Sequence, residues 1–142
     1  MIREDKGQVS LEYILIFAIS LLFLMIFTLP LSEQAIENTM DITDSLNAKY
    51  VISKISLAIK EVYGEGQGSK HTVNLNSNNK IKITIADNYA SCNLKLKSKD
   101  SKQIKECFNS NIKKTSIILD KGANTLIVEW PANSENMIIY RK

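Results

Sequence analysis

The polarity of the chain changes character twice. From Tyr13 to Leu31 the only polar side chains are Ser20 and Thr28. At a rise of about 1.5 Å per residue, such a run crosses about 30 Å of hydrocarbon as a helix. From Ser32 to Tyr63, Ile36, Met40, Leu46, Val51, Ile55, Ile59 and Val62 return at intervals of three to five, with most charges elsewhere on the wheel. That is an amphipathic helical stripe. The two segments join into one helix predicted from about Ser10 to Tyr63, about 80 Å long. Pro30 lies at the junction, where it lacks an N–H and its ring presses on the carbonyl of Ile26, so a kink or local melting is expected there.

Gly64-Glu65-Gly66-Gln67-Gly68-Ser69 then stops the helix, and the pattern shifts to period two. Lys80 to Ile85 alternates lysine or threonine with isoleucine, and Asn93 to Lys97 alternates in the same way, so each predicts a strand with its aliphatics inward. Further strands are expected at 71–75, 116–120, 125–130 and 137–141. Asn76 to Asn79 and Lys121 to Asn124 read as hairpin turns. About six short antiparallel strands, burying one face against the upper helix, make an α+β lollipop: a long hydrophobic, then amphipathic, N-terminal helix packed on a small antiparallel sheet head.

Composition adds the size and the charge asymmetry. With 142 residues and 16.0 kDa, the chain has room for one compact unit besides the apolar helix. Met1 to Tyr63 holds five basic and eight acidic residues, whereas Gly64 to Lys142 holds thirteen basic and seven acidic. A basic distal part suits anionic surfaces or polymers, but its lysines alternate along strands and read as a solvated face, so no nucleic acid partner is expected.

Catalytic chemistry is not written in the residues. His71 is the sole histidine, which excludes a histidine-based metal cluster, and no other ligand set surrounds it in the sequence. It reads as a solvent-facing strand residue, and Trp130, before Pro131, as a strand end closing the core. The glycines at 64–68 follow a helix rather than precede one, so they do not form a phosphate loop. No Asn-x-Ser/Thr sequon occurs. Neither an enzyme nor a bound metal or cofactor is expected.

The remaining signal is at the N-terminus. A charged leader, Met1 to Lys6, ends in Gly7, and Gln8-Val9-Ser10-Leu11-Glu12-Tyr13 opens the apolar run. An ordinary secretory signal is cut after its apolar core at small residues, and nothing like Ala-x-Ala follows this one. The small residue stands before the run, so a cut there removes the leader and keeps the helix. Glu12 is a carboxylate at the lip of a bilayer-length segment, where an unpaired charge costs several kcal/mol, so it calls for a partner.

With Gln8, Ser10, Glu12 and Tyr13 after a leader ending in Gly7, the chain resembles archaeal type IV pilin precursors carrying the class III signal peptide. The resemblance covers roughly the first quarter of the chain. It implies cleavage between Gly7 and Gln8 by a membrane aspartyl prepilin peptidase. It also implies extraction from membrane lipid by a pilus assembly ATPase and its membrane platform, into a homopolymeric extracellular filament. Under that reading residues 1–7 are a leader that is removed, 8–63 the helix with 13–31 as membrane span and filament core, 64–69 a connector, and 70–142 an extracellular head. Gln8, Glu12 and Pro30 are then the residues expected to bear on assembly, and surface adhesion is the expected use. Two other readings fit the same residues. One is a minor or tip adhesive pilin of the same fold, and the other a monomeric single-pass membrane protein whose head binds a solute or partner.

Cys92 and Cys107 both fall in the part that would lie outside the cell, where a thiol pair in a small domain is normally oxidised. A disulfide is expected, and closing a loop of about fifteen residues would contribute about 3 kcal/mol in the chain-entropy description. No Cys-x-x-Cys occurs, so redox chemistry is not expected.

Overall fold

The computed structural model describes residues 4–97 and 101–142, with side chains described from Ser10 onward. Its element order is one helix, α1 (Glu4–Glu65), followed by seven strands: β1 (Lys70–Ser77), β2 (Ile81–Ala86), β3 (Tyr89–Lys95), β4 (Ser101–Cys107), β5 (Thr115–Leu119), β6 (Gly122–Glu129) and β7 (Ile138–Arg141). This is the α+β class expected. By internal contacts the chain divides into Met1–Thr39 and Met40–Lys142, so the upper part of α1 belongs with the strands.

In the first unit α1 carries the apolar run. Its large side chains stand open, Phe17 at 64% and Leu24 at 62%, and the rings of Phe23 and Phe27 stack one turn apart with centroids at 6.4 Å. The Ser20 hydroxyl donates to the carbonyl of Ile16 at 2.8 Å, and that of Ser32 to Thr28 at 2.9 Å. These two hydroxyls are thus satisfied on their own helix, as an apolar surrounding demands. The helix runs through Pro30 without interruption, so the local melting expected there does not occur.

In the second unit two antiparallel sheets enclose the upper helix residues. One sheet has the order β1-β6-β7 and the other β4-β3-β2-β5. Ala48, Val51, Ile52, Ile55, Ala58, Ile59 and Val62 form the buried helical stripe, meeting Val73, Leu75, Ile83, Ile85, Leu126 and Val128 from the strands. The four upper residues of the expected stripe are therefore right, but Ile36, Met40 and Leu46 are exposed at 55%, 43% and 62%. At about 100° per residue, Leu46 lies across the helix from Ala48, Ile55 and Ile59. Small residues take its place inward, since Ser45 and Ala48 are buried.

Six strands lie close to their expected places, and β4 was not foreseen. Both expected hairpins are corrected. β1 pairs with β6, and β2 with β3 and β5, so the turns at 76–79 and 121–124 pass the chain between the two sheets. Sequence spacing marks a turn but carries no information on which strand lies beside which. The second crossing is held by Asn124, which is buried. Its Oδ1 accepts from the Asp120 N–H at 3.1 Å, and its Nδ2 donates to the carbonyls of Asp120 at 2.7 Å and Gly122 at 2.9 Å. Gly122 adopts φ 99°, a left-handed conformation that glycine takes without a Cβ clash. The two-residue hairpin that does occur is Asp87-Asn88, between Ala86 and Tyr89.

The helix ends as its glycines require. Gly66, at φ 90°, donates its N–H to the Val62 carbonyl at 3.1 Å, and the Ser69 hydroxyl donates to the same carbonyl at 3.0 Å. Trp130 joins the closure by stacking on Tyr63 at 5.6 Å and donating its indole N–H to the Ser134 carbonyl at 2.9 Å.

Candidate functional site

The N-terminal signature lies on the first turns of α1. Met1, Ile2 and Arg3 of the leader are outside the described residues. Gly7 and Gln8 are within the helix backbone, so the peptide between them is helical. Glycine holds a helix about 1 kcal/mol less well than alanine, which makes this peptide one of the easier ones to draw into the extended form a protease needs. Ser10, Glu12 and Tyr13 follow on exposed helix surface. Gln8 and Glu12 are four residues apart and therefore share one helix face. Among the described residues the Glu12 carboxylate has no partner.

What this segment can do follows from its surface. A helix exposed to water turns a polar face to it, and one inside a protein core is covered by its neighbours. The run from Tyr13 to Leu31 is neither: it is long and apolar enough to cross a membrane, and the span that qualifies, Ser10–Glu65, is uncovered through its apolar window. Lipid or like helices are the surroundings such a surface suits.

In the second unit the expected disulfide is corrected. Both cysteines are free, Cys92 buried and Cys107 exposed. Cys92 stands opposite Ile104 in the β3–β4 ladder, and Cys107, opposite Tyr89, is three residues further along. Three residues of strand cover about 10 Å, and an odd step turns the side chain to the other face of the sheet. A disulfide needs Cα atoms within about 7 Å and side chains that converge. Burial also pushes the Cys92 thiol above its ordinary pKa.

His71 is less solvated than its sequence suggests. Its Nδ1 lies 3.2 Å from Glu61 and its Nε2 2.9 Å from Glu65, both on the last turns of α1, with the side chain 32% exposed. Both contacts are hydrogen bonds only when the ring carries two protons, because a neutral imidazole has a single donor. The arrangement ties β1 to the helix end. Glu61 and Glu65 sit four apart, a spacing visible in the sequence, but the strand that brings His71 to them is not. No group of three histidine, cysteine or acidic side chains suited to a metal ion occurs among the described residues.

No curated protein sequence and no solved structure matches the chain. Residues 6–31 match the family model described as the class III signal peptide, which places at the head of this chain the signature of a type IV pilin-like precursor.

Proposed function

We propose that the chain is a structural subunit of an extracellular type IV pilus of the archaeal kind, trimmed before Gln8 and assembled through α1. The observation that carries this reading is the apolar segment that follows the class III signature and stands open from Leu11 to Leu31. A cut at Gly7 leaves that segment on the mature protein, so it serves the protein after processing. The precursor sits in the cytoplasmic membrane, and prepilin peptidase, an assembly ATPase and a membrane platform act on it.

Moving α1 from lipid to a bundle of its own copies changes little in apolar burial, because lipid already hides that surface. Packing and polar pairing must therefore set the register, which puts weight on Glu12. The role is structural rather than catalytic, with adhesion to surfaces as its use. A minor or tip subunit is the second reading, favoured by a cleft of the second unit lined by Lys80, Lys82, Lys95 and Lys97.

Mass spectrometry of filaments sheared from the source cells tests the proposal. Peptides of this chain beginning at Gln8, at a level comparable with the main filament component, are the expected result. Trace levels in filaments favour the minor subunit. Full recovery in the membrane fraction, with filaments lacking the chain, overturns both in favour of a single-pass membrane protein.

A further inference from the structure

β2 and β3 pair only from Ala86↔Tyr89 to Ile83↔Cys92. Beyond that point β2 still pairs with β5 as far as Ile81↔Leu119, and β3 still pairs with β4 as far as Lys95↔Ser101. Each strand is thus held on its outer side while the two lose each other, and a cleft of about 450 Å³ opens where they part. That lies within the range of about 300–1,000 Å³ for small-ligand sites.

The chemistry of the walls is one-sided. Lys80 and Lys82 stand on the β2 side, Lys95 and Lys97 on the β3 side, with Asp44 of α1 the one carboxylate. Among the described residues Lys82 and Lys95 have no ion-pair partner. Lys80 reaches Asp120 at 3.5 Å, but that carboxylate already holds Arg141 at 2.6 Å. Like charges gathered across neighbouring strands oppose folding. A concave site with low-dielectric walls, here Ile81 and Leu94, also focuses their field outward. Asp44 shares the cleft, Asp120 lies beside Lys80, and Asp41 accepts from the Lys97 N–H at 2.8 Å, which leaves Lys82 and Lys95 as the ammonium groups without an ion pair among the described residues, open to an anion from outside.

Two further groups narrow the anion. The side chains of Asn93 and Asp44 face the cleft with no hydrogen-bond partner among the described residues. An amide and a carboxylate in one cleft with lysines suit a ligand that carries hydroxyls as well as negative charge. No aromatic ring is among the cleft residues, and the Tyr89 ring on the same sheet is covered by the Lys105 ammonium at 4.1 Å. Unpaired nucleic acid strands are held largely by stacking on open rings, so the lining suits them poorly.

We propose that this cleft binds the carboxylate-bearing sugars of an acidic polysaccharide, the lysines taking the charge and Asn93 and Asp44 the hydroxyls. The proposal deepens the adhesive part of the function above and rests on it for its use, whereas binding itself does not require polymerisation.

The test uses the full mature chain in detergent, with polygalacturonate, neutral dextran and poly(dT) as probes at physiological salt. Polygalacturonate is expected to bind and dextran not. The double variant Lys82→Ala/Lys95→Ala should lose at least tenfold in affinity, and Asn93→Ala several-fold with no change in charge. Lys113→Ala/Lys114→Ala removes the same charge from residues outside the cleft and should change affinity less than twofold. Lys82→Gln/Lys95→Gln, checked for an unchanged melting profile, gives the same reading where the alanine pair unfolds.

Equal losses in the two lysine pairs, tighter binding of poly(dT), or no binding of polygalacturonate overturns the proposal. Native filaments that contain the chain and do not bind also overturn the cleft while leaving assembly intact. Binding by a chain that never enters filaments supports the cleft and overturns assembly.

Discussion

Cys92 and Cys107 occupy opposite faces of the β3–β4 hairpin, Cys92 turned to the core and Cys107 to solvent. The two thiols should therefore behave as unrelated groups. Thiolate is the reactive form, and Cys92 is both covered and held protonated by desolvation. Alkylation of the folded protein at neutral pH should label Cys107 within minutes and Cys92 only on unfolding. A nonreducing peptide map that links them would show the strand register to be wrong.

Ser56 is fully buried on α1, and its hydroxyl has no partner among the described residues. A buried donor left unmade costs about 1–3 kcal/mol, whereas alanine keeps the helix and deletes the orphan. Ser56→Ala is expected to raise stability by about 1 kcal/mol, read as a higher Tm or a higher denaturant midpoint at unchanged slope. A lower Tm would mean that the hydroxyl has a partner in solution.

Asp120 links the two sheets, because it follows β5 and accepts from Arg141 on β7 at 2.6 Å. That hydrogen bond, and then the charges of Arg141 and Lys80, hold its carboxyl below its ordinary value of 3.8. A depressed folded pKa means stability that is present above the unfolded value and is lost as pH falls through the folded one. Asp120→Asn should lower Tm slightly near pH 7, and the difference from wild type should shrink progressively as pH falls below 3.8. A difference that stays constant down to pH 2 would show that the carboxylate charge is not what links the sheets. The contact is exposed, so the effect at neutral pH is small.

These residues also show what was legible from sequence. Alternation exposes Ile81, Ile83 and Ile85 as one buried face, because half-burial writes period two into the chain. The same rule hides β4, whose Ser-Lys-Gln-Ile-Lys-Glu-Cys has only Ile104 for the core, since an edge strand needs few apolar residues and is protected by its lysines. Register was hidden too, and with it the fate of the cysteines, the partners of His71 and the cleft between β2 and β3. All three depend on which strands meet, and pairing is decided by packing far along the chain. The N-terminal signature was readable because its residues act in one local segment, with no need for a fold to assemble them.

Processing gives a direct test of that segment. The Gly7–Gln8 peptide lies in the first turns of α1, and a protease must open it to act. Gly7→Val places a branched, stiff side chain beside the proposed scissile bond, where it hinders the close approach of a protease. Precursor still bearing its leader should accumulate in the membrane, with Gln8 the N-terminus of wild type alone. A native N-terminus beyond Leu31 would instead mean that the apolar helix is discarded.

The Glu12 carboxylate is expected to guide assembly and not cleavage. It is exposed on α1 and has no partner among the described residues, at the start of a run that polymerisation would place among other apolar helices. The proposed trimming before Gln8 would create an α-amine with an ordinary pKa of about 7.7–8.0, largely cationic at neutral pH. Such an amine on an adjoining subunit is the natural partner. An unpaired carboxylate in apolar surroundings is costly, so a register that joins the two groups wins over neighbours that do not. Glu12→Ala should therefore be inserted and trimmed normally, yet give at least tenfold fewer filaments. Glu12→Gln separates the two states of the partner. With a free amine it should fail as the alanine does, because the charge is lost. With Gln8 cyclised to a neutral pyroglutamyl ring, an amide can still pair with an amide, and filaments should persist. Normal filament yield from Glu12→Ala, with the mature N-terminus verified, would show that apolar packing alone sets the register.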